Sequence, residues 1–309
     1  MTDRCPFRCL YCTPAEGVEE FTAGEILEDD EIVRFVRLIG AHFGLAKVHI
    51  TGGEALGRRG IAKLVAMLAG EGVEDLAMTT NGQRLGELAG DLKQAGLKRV
   101  NISLPTLNPR TFRRLTGGGK LADTLEGVEA ALRAGLAPVK WNVTVLRGVN
   151  DHEVGDIALA GIDRGVEVRF IELMPIGPAA QRHREWFVSA AEVLDCLRER
   201  FQLRPRWRPR GSSTREFQAT SEAGKQGVVG VIASMTQPFC AGCNRLRLSA
   251  GGELVGCLRE ASRESILPLL RTHGPLDEGR ILEKVLAALG QKLTGRGFQG
   301  DHCMVKTGG

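Results

Sequence analysis

The 309-residue sequence contains no uninterrupted apolar run approaching the roughly 20 residues that a membrane-spanning helix requires, so no helical membrane protein is expected. Its first residues, MTDRCPFRC, lack both the apolar stretch and the small-residue cleavage site of a secretory signal, and a cytoplasmic location is the expectation. Charge of one sign is not in excess: 41 Lys and Arg against 37 Asp and Glu leave a net charge of +4. The basic residues form no polybasic block, which argues against nucleic acid or a membrane surface and for a small anionic ligand. No internal repeat occurs beyond an alternation of β-rich and helical patterns.

Glycine is plentiful, at 40 residues, as suits a chain with many tight strand–helix turns. Short β-rich runs, KVHIT at 47–51, DLAMTT at 75–80, KRVNISL at 98–104, VKWNVTVL at 139–146 and VEVRFIEL at 166–173, alternate with helical stretches. IAKLVAMLAG, LGELAGDLKQAG, TLEGVEAALRAG and EVGDIALAGIDRG are such stretches, each ending in a glycine suited to a helix C-terminus. Repeated β/α units imply parallel strands closed or partly closed into a barrel, with ligand sites at the strands' C-terminal ends. The pattern predicts a first unit over 1–203, a polar and mobile connector over 204–227, and a second unit over 228–309. The second unit holds the strand-like VVGVIASM and helical stretches around 261–271 and 277–290.

Eight cysteines in a reducing compartment are read as metal or redox ligands before disulfides. Cys5, Cys9 and Cys12 form C-x3-C-x2-C, three thiolates that can wrap one face of a cubane iron–sulfur cluster and leave the fourth iron open. Structural zinc is the competitor, but it usually takes four ligands, and no histidine lies nearby to complete a set. Cys240, Cys243 and Cys257 form a second triplet, C-x2-C-x13-C, again without a fourth member; a zinc knuckle completed by His302 or Cys303 is the alternative. Otherwise His302 and Cys303 are incidental, and Cys196, within SAAEVLDCLRERF, is a small buried hydrophobe. Thr51-Gly52-Gly53-Glu54 follows the first strand directly, which is either a tight turn or a place where bare backbone meets a ligand. Arg245 and Arg247 alternate on a strand-like segment and would share a face suited to a nucleotide's phosphate charge.

The spacing of the first three cysteines, with aromatic Tyr11 just before the last, resembles the radical S-adenosylmethionine (SAM) superfamily, and TGGE resembles its SAM-binding motif with Ala55 in the usual proline's place. FCAGCNRLRLSAGGELVGCL, together with TTNG, AGLKRVNISL, PVKWNVTVLRGVND, RFIELMPIG and the final Gly308-Gly309, resembles the GTP 3′,8-cyclase family of molybdenum-cofactor biosynthesis over nearly the whole chain. That resemblance implies a partial (β/α)6 radical SAM barrel with a C-terminal unit, two [4Fe–4S] clusters, and cyclisation of GTP to 3′,8-cyclo-7,8-dihydro-GTP by a 5′-deoxyadenosyl radical. By the same resemblance, Tyr11, Gly53, Glu54, Ser103 and Met174 would contact SAM, and His49, Thr79, Lys140, Arg245, Leu246 and Arg247 would contact GTP. Gly308 and Gly309 would take part in catalysis. A flavodoxin-type electron donor, a downstream pterin synthase and a homodimer are the implied partners. Read singly, Ser103 is better taken as a strand end, Met174 as core filler and Lys140 as an exposed strand charge; their placement on strands lining one barrel favours the site.

The sequence departs from the family pattern in two places. His49 stands where the family carries an arginine, exchanging a permanent cation for a group mostly neutral at pH 7. Only four residues precede Cys5, where the family has a strand bearing another nucleotide-contacting arginine, so the first barrel strand is expected to be missing. Two rivals stand beside this reading: another two-cluster radical SAM enzyme of the peptide-modifying or maturase type, and a non-catalytic zinc-stabilised binding protein.

Overall fold

The computed structural model describes residues 1–207, 209, 211–259, 263–271, 276–290, 292 and 304–307. Its core is an eight-stranded sheet. Five strands, β1 (Lys47–Ile50), β2 (Asp75–Thr80), β3 (Arg99–Ser103), β4 (Val139–Val145) and β5 (Glu167–Glu172), run parallel in sequence order. The three that follow, β6 (Phe201–Pro205), β7 (Arg215–Ser221) and β8 (Gln226–Ile232), form an antiparallel meander, with β8 pairing parallel to β5. The sheet order β1-β2-β3-β4-β5-β8-β7-β6 does not close on itself: this is a partial barrel. Among the described residues no strand precedes β1.

Alternation along these strands makes two surfaces of opposite character. Leu76, Met78, Val100, Ile102, Trp141, Val143, Val168 and Phe170 point to one side and are almost wholly buried. Each such side chain contributes about 1.5–3 kcal/mol relative to exposure. Against this face pack α2 (Ile61–Gly70), α3 (Leu85–Gln94), α5 (Leu121–Arg133) and α6 (Val154–Asp163), the four helices legible in the sequence. On the other face stand Asp75, Thr79, Arg99, Asn101, Lys140, Asn142, Glu167 and Arg169, so the concave side is polar and charged.

Three local expectations are corrected. The 204–227 segment is not a plain connector: its polar residues lie on β7, where Phe217 and Ala219 alternate inward and pair with β8, so the period-2 pattern was hidden by charge. Around 261–271 the described residues form a short strand, β11 (Glu264–Ser265), and a one-turn helix, α9 (Leu267–Leu270). Gly70 remains inside α2, and the positive-φ position at that helix end is Gly72. The C-terminal region adds a small antiparallel sheet of β9 (Arg247–Leu248), β10 (Glu253–Val255) and β11, against which α10 (Glu278–Gly290) packs through Ile281, Val285 and Ala288.

Candidate active site

The first cysteine loop lies at the C-terminal ends of β3 to β5. Two backbone bonds tie it to α4 (Pro109–Thr116): the Arg8 N–H donates to the Thr116 carbonyl at 2.8 Å and the Leu10 N–H to the Leu115 carbonyl at 3.0 Å. Tyr11 is enclosed by Leu115, Leu146, Leu173, Ala179 and Trp186, and its hydroxyl meets Cys9 and Thr144. Its ring therefore anchors the loop to the barrel end. The N–H groups of Cys12 and Thr13 both donate to the Cys9 carbonyl at 2.9 Å, holding the loop in a tight turn.

Burial pushes the Cys9 thiol up to about 12 and the Cys5 thiol up to about 11. Both lie far above neutrality, so the loop by itself favours thiols over thiolates. A cationic metal centre supplies the compensation that buried thiolates need. Among the described residues no three His, Cys, Asp or Glu side chains converge on a point that one ion could occupy. In an iron–sulfur cluster each cysteine binds a different iron, so a triplet of cysteines can hold one and leave one iron open, whereas structural zinc usually takes four ligands.

The TGGE turn follows β1. A Cβ at Gly53 would come within 2.4 Å of the Arg4 carbonyl oxygen, and one at Gly52 within 2.6 Å of the Thr2 carbonyl oxygen. The backbone that passes so close is the chain's own: the Gly53 N–H donates to Thr2 at 2.7 Å and the Glu54 N–H to Arg4 at 2.8 Å. Glu54 is buried, with its carboxylate turned inward to accept from Leu56 N–H at 2.9 Å, the Thr80 hydroxyl at 2.5 Å and Asn81 N–H at 2.7 Å. It joins the turn to the end of β2 through three accepted bonds, two on Oε1 and one on Oε2. Ser103 ends β3 and Met174 follows β5, so both stand at the same barrel end as the cysteine loop.

Below this rim the concave face carries a charged ring. Arg99 forms a two-bond pair with Asp75 at 2.8 Å, Lys140 pairs with Glu167 and lies 3.7 Å from Glu216, and Arg169 lies 3.8 Å from Glu216. His49 Nε2 and Thr79 Oγ1 are 2.7 Å apart. Burial, with Lys47, Arg99, Arg169 and Arg245 nearby, holds His49 down to about 3, so the ring is neutral in the native protein. Burial and Arg99 bring Lys47 down to about 8, and burial with Arg169 lowers Lys140. Mutual depression of this kind marks a surface short of anions. Buried Asn101 Oδ1, Asn142 Oδ1 and Arg169 Nε have no hydrogen-bond partner among the described residues and are further groups to which a polar ligand could bond.

The second cysteine triplet meets this ring through Arg245 and Arg247. Arg245 stacks on Phe239, its guanidinium carbon 5.0 Å from the ring centroid, and is near enough to Lys47, His49 and Arg169 to disfavour their protonation. Burial and Arg245 hold Arg247 down to about 10, while Cys243 and Cys257 beside it oppose the shift. Leu246 packs against the main core, so its side chain does not share the arginines' face. Lys292 reaches the same place and donates to the Arg245 carbonyl. Sequence reasoning missed Lys47, Arg99, Arg169 and Lys292; the first three carry a signal in retrospect, as charged residues at alternate positions of otherwise apolar strands. Gly308, Gly309, His302 and Cys303 lie outside the described residues.

Two family models match the chain, the Radical SAM superfamily over residues 1–160 and Molybdenum Cofactor Synthesis C over residues 166–297. A GTP 3′,8-cyclase of Pelotomaculum thermopropionicum is 43% identical over 291 residues, which are 94% of this chain and 87% of the relative. The chain belongs to the GTP 3′,8-cyclase family. A GTP 3′,8-cyclase of Geobacter sulfurreducens is 39% identical and is matched over all of this chain and 95% of its own length. The fold itself is shared with the SAM-bound crystal structure of Streptococcus suis SuiB at a TM-score of 0.62, with 14% identity, covering 90% of this chain and 65% of that one. The second family region begins at residue 166, so in this family β5 and the meander are grouped with the C-terminal cysteines.

Proposed function

We propose that this protein is a radical SAM GTP 3′,8-cyclase that converts GTP to 3′,8-cyclo-7,8-dihydro-GTP. The observation that carries the reading is a cationic barrel face joined by Arg245 and Arg247 of the second cysteine segment, in a chain 43% identical to a named cyclase. Cys5, Cys9 and Cys12 hold one [4Fe–4S] cluster, and Cys240, Cys243 and Cys257 hold the other. When bound, the first cluster supplies the electron that cleaves SAM and so provides a hydrogen-abstracting radical.

The chain's own residues do the rest. Lys47, Lys140, Arg169 and Arg245 hold the triphosphate, whose charge relieves the repulsion among them. His49 and Thr79 contact the nucleotide as neutral hydrogen-bonding groups, and Arg247 fixes the base beside the second cysteine set. Tyr11, Gly53, Glu54, Ser103 and Met174 border SAM at the barrel rim, with Tyr11 also positioning the cysteine loop and Glu54 the glycine turn. Gly308 and Gly309 complete the catalytic set. Fixing the ribose C3′ near guanine C8 is a proximity effect, which the rigid sheet supplies. Among the described residues no helix is long and apolar enough to cross a membrane. A cytoplasmic location, a flavodoxin-type donor, a homodimer and delivery of product to a pterin synthase belong to the same reading.

The test is anaerobic reconstitution with iron and sulfide, then incubation with dithionite, SAM and GTP. Mass spectrometry should detect 5′-deoxyadenosine and the cyclised nucleotide together. 5′-Deoxyadenosine without cyclised nucleotide would move the chain to another radical SAM substrate.

A further inference from the structure

The surface arginines of this protein are mostly paired: Arg37 with Glu71, Arg133 with Glu126, Arg147 with Glu192, Arg182 with Glu185 and Arg198 with Asp195. One group differs. Arg110, Arg113 and Arg114 on α4, with Arg8 on the first cysteine loop, are all exposed and have no carboxylate partner among the described residues. The two elements are one surface. Besides the two backbone bonds between them, a Cβ at Gly117 would come within 2.9 Å of the Arg8 Cβ. A shallow basin of about 560 Å³ is lined by Arg110, Arg113, Arg114, Gly117 and Gly118. Leu10, on the same loop, is 42% exposed, unusual for a leucine in this chain.

We infer that this face docks a small acidic one-electron carrier protein of the flavodoxin class. Unpaired cations beside an exposed apolar residue suit a transient interface that is steered electrostatically and released quickly. Its place identifies the carrier: the basic face includes the residue just before Cys9, so a redox group seated there lies a short path from the cysteines. The carrier gives up one electron, taken up at the site held by Cys5, Cys9 and Cys12, and no bond between the proteins forms. This rests on the radical SAM reading, which consumes an electron that no described group of the chain supplies.

The test compares the wild-type protein with R110E/R113E/R114E, and with R198E as a charge reversal elsewhere. Binding of flavodoxin is measured by titration, and SAM cleavage is driven either by reduced flavodoxin or by dithionite. At low salt the triple variant should bind flavodoxin on the order of 10- to 100-fold more weakly, with the difference shrinking toward 0.5 M salt (about the range where a few-ångström Debye length screens exposed charges). Its dithionite-driven cleavage, and both activities of R198E, should stay within about twofold of wild type, since these residues touch no reacting group. Equal flavodoxin affinity in wild type and triple variant would overturn the proposal, as would a parallel fall in the dithionite rate. A duplex RNA that binds the wild-type face more tightly than flavodoxin, and is lost in the triple variant, would overturn it too. If dithionite drives no SAM cleavage in any form, the enzymatic reading fails, while the binding titration still decides the surface.

Discussion

The carboxylate of Glu54 accepts the Asn81 backbone N–H at 2.7 Å, so the turn after β1 is bolted to the end of β2 by a buried charge-assisted bond. The same carboxylate also satisfies Leu56 N–H and the Thr80 hydroxyl. Replacing it with alanine would strand three buried donors, each costing about 1–3 kcal/mol when left unmade, with partial relief by water. Glu54→Ala should therefore destabilise the protein by several kcal/mol, on the order of the cost of breaking a buried network. Thermal melting of the reconstituted protein checks this, and a melting temperature matching wild type would show that the carboxylate is not the bolt.

His49 makes stability depend on pH. Its folded value of about 3 lies below its ordinary 6.5, so between those values the unfolded chain binds the extra proton and the native protein does not. The stability this group confers is present above 6.5 and is lost as pH falls toward 3. Denaturant unfolding of wild type and His49→Gln from pH 7 to 4 should give a difference that changes steadily in the variant's favour on acidification. Parallel curves would mean that His49 is not the titrating group.

Lys140 faces Glu167 and Glu216, and its removal leaves Glu216 with Arg169 at 3.8 Å and Glu167 with no ion pair among the described residues. Lys140→Met should raise the KM for GTP by about tenfold or more, equivalent to about 1.4 kcal/mol, while 5′-deoxyadenosine release without GTP stays near wild type. Lys140→Arg should recover part of the loss. If KM for GTP is unmoved, the lysine serves the sheet and not the nucleotide.

Cys243 lies beside Arg247 in the second triplet. Cys243→Ser should abolish formation of the cyclised nucleotide yet leave measurable SAM cleavage, because the first triplet is untouched. Iron content should fall toward half, the four of eight irons in one [4Fe–4S] cluster. Full cyclisation by this variant would remove the second triplet from the reaction.

Much of the fold was legible because β2 to β5 place aliphatic residues at every second position and are each followed by an amphipathic helix. The meander strand β7 was not legible: Arg215, Glu216 and Gln218 mask a pattern that rests only on Phe217 and Ala219. Within the site, the six clustered cysteines stood out by spacing alone. Lys47, Arg99 and Arg169 did not, since a charged residue on a strand reads as solvent-facing until the barrel curvature turns that face inward. Glu54 stood out by the motif around it, but its bonds to Thr80 and Asn81 depend on β1 and β2 lying side by side.

By itself the sequence determined the β/α order of the chain, the two cysteine triplets and the family to which it belongs, because these are local spacings and periodicities. Only the tertiary structure decided that Arg245 and Arg247 join the strand cations in one lumen, that His49 is held neutral, and that Arg8 meets the α4 arginines on one open face. Those relations join residues tens to hundreds of positions apart, and electrostatic coupling follows distance in space.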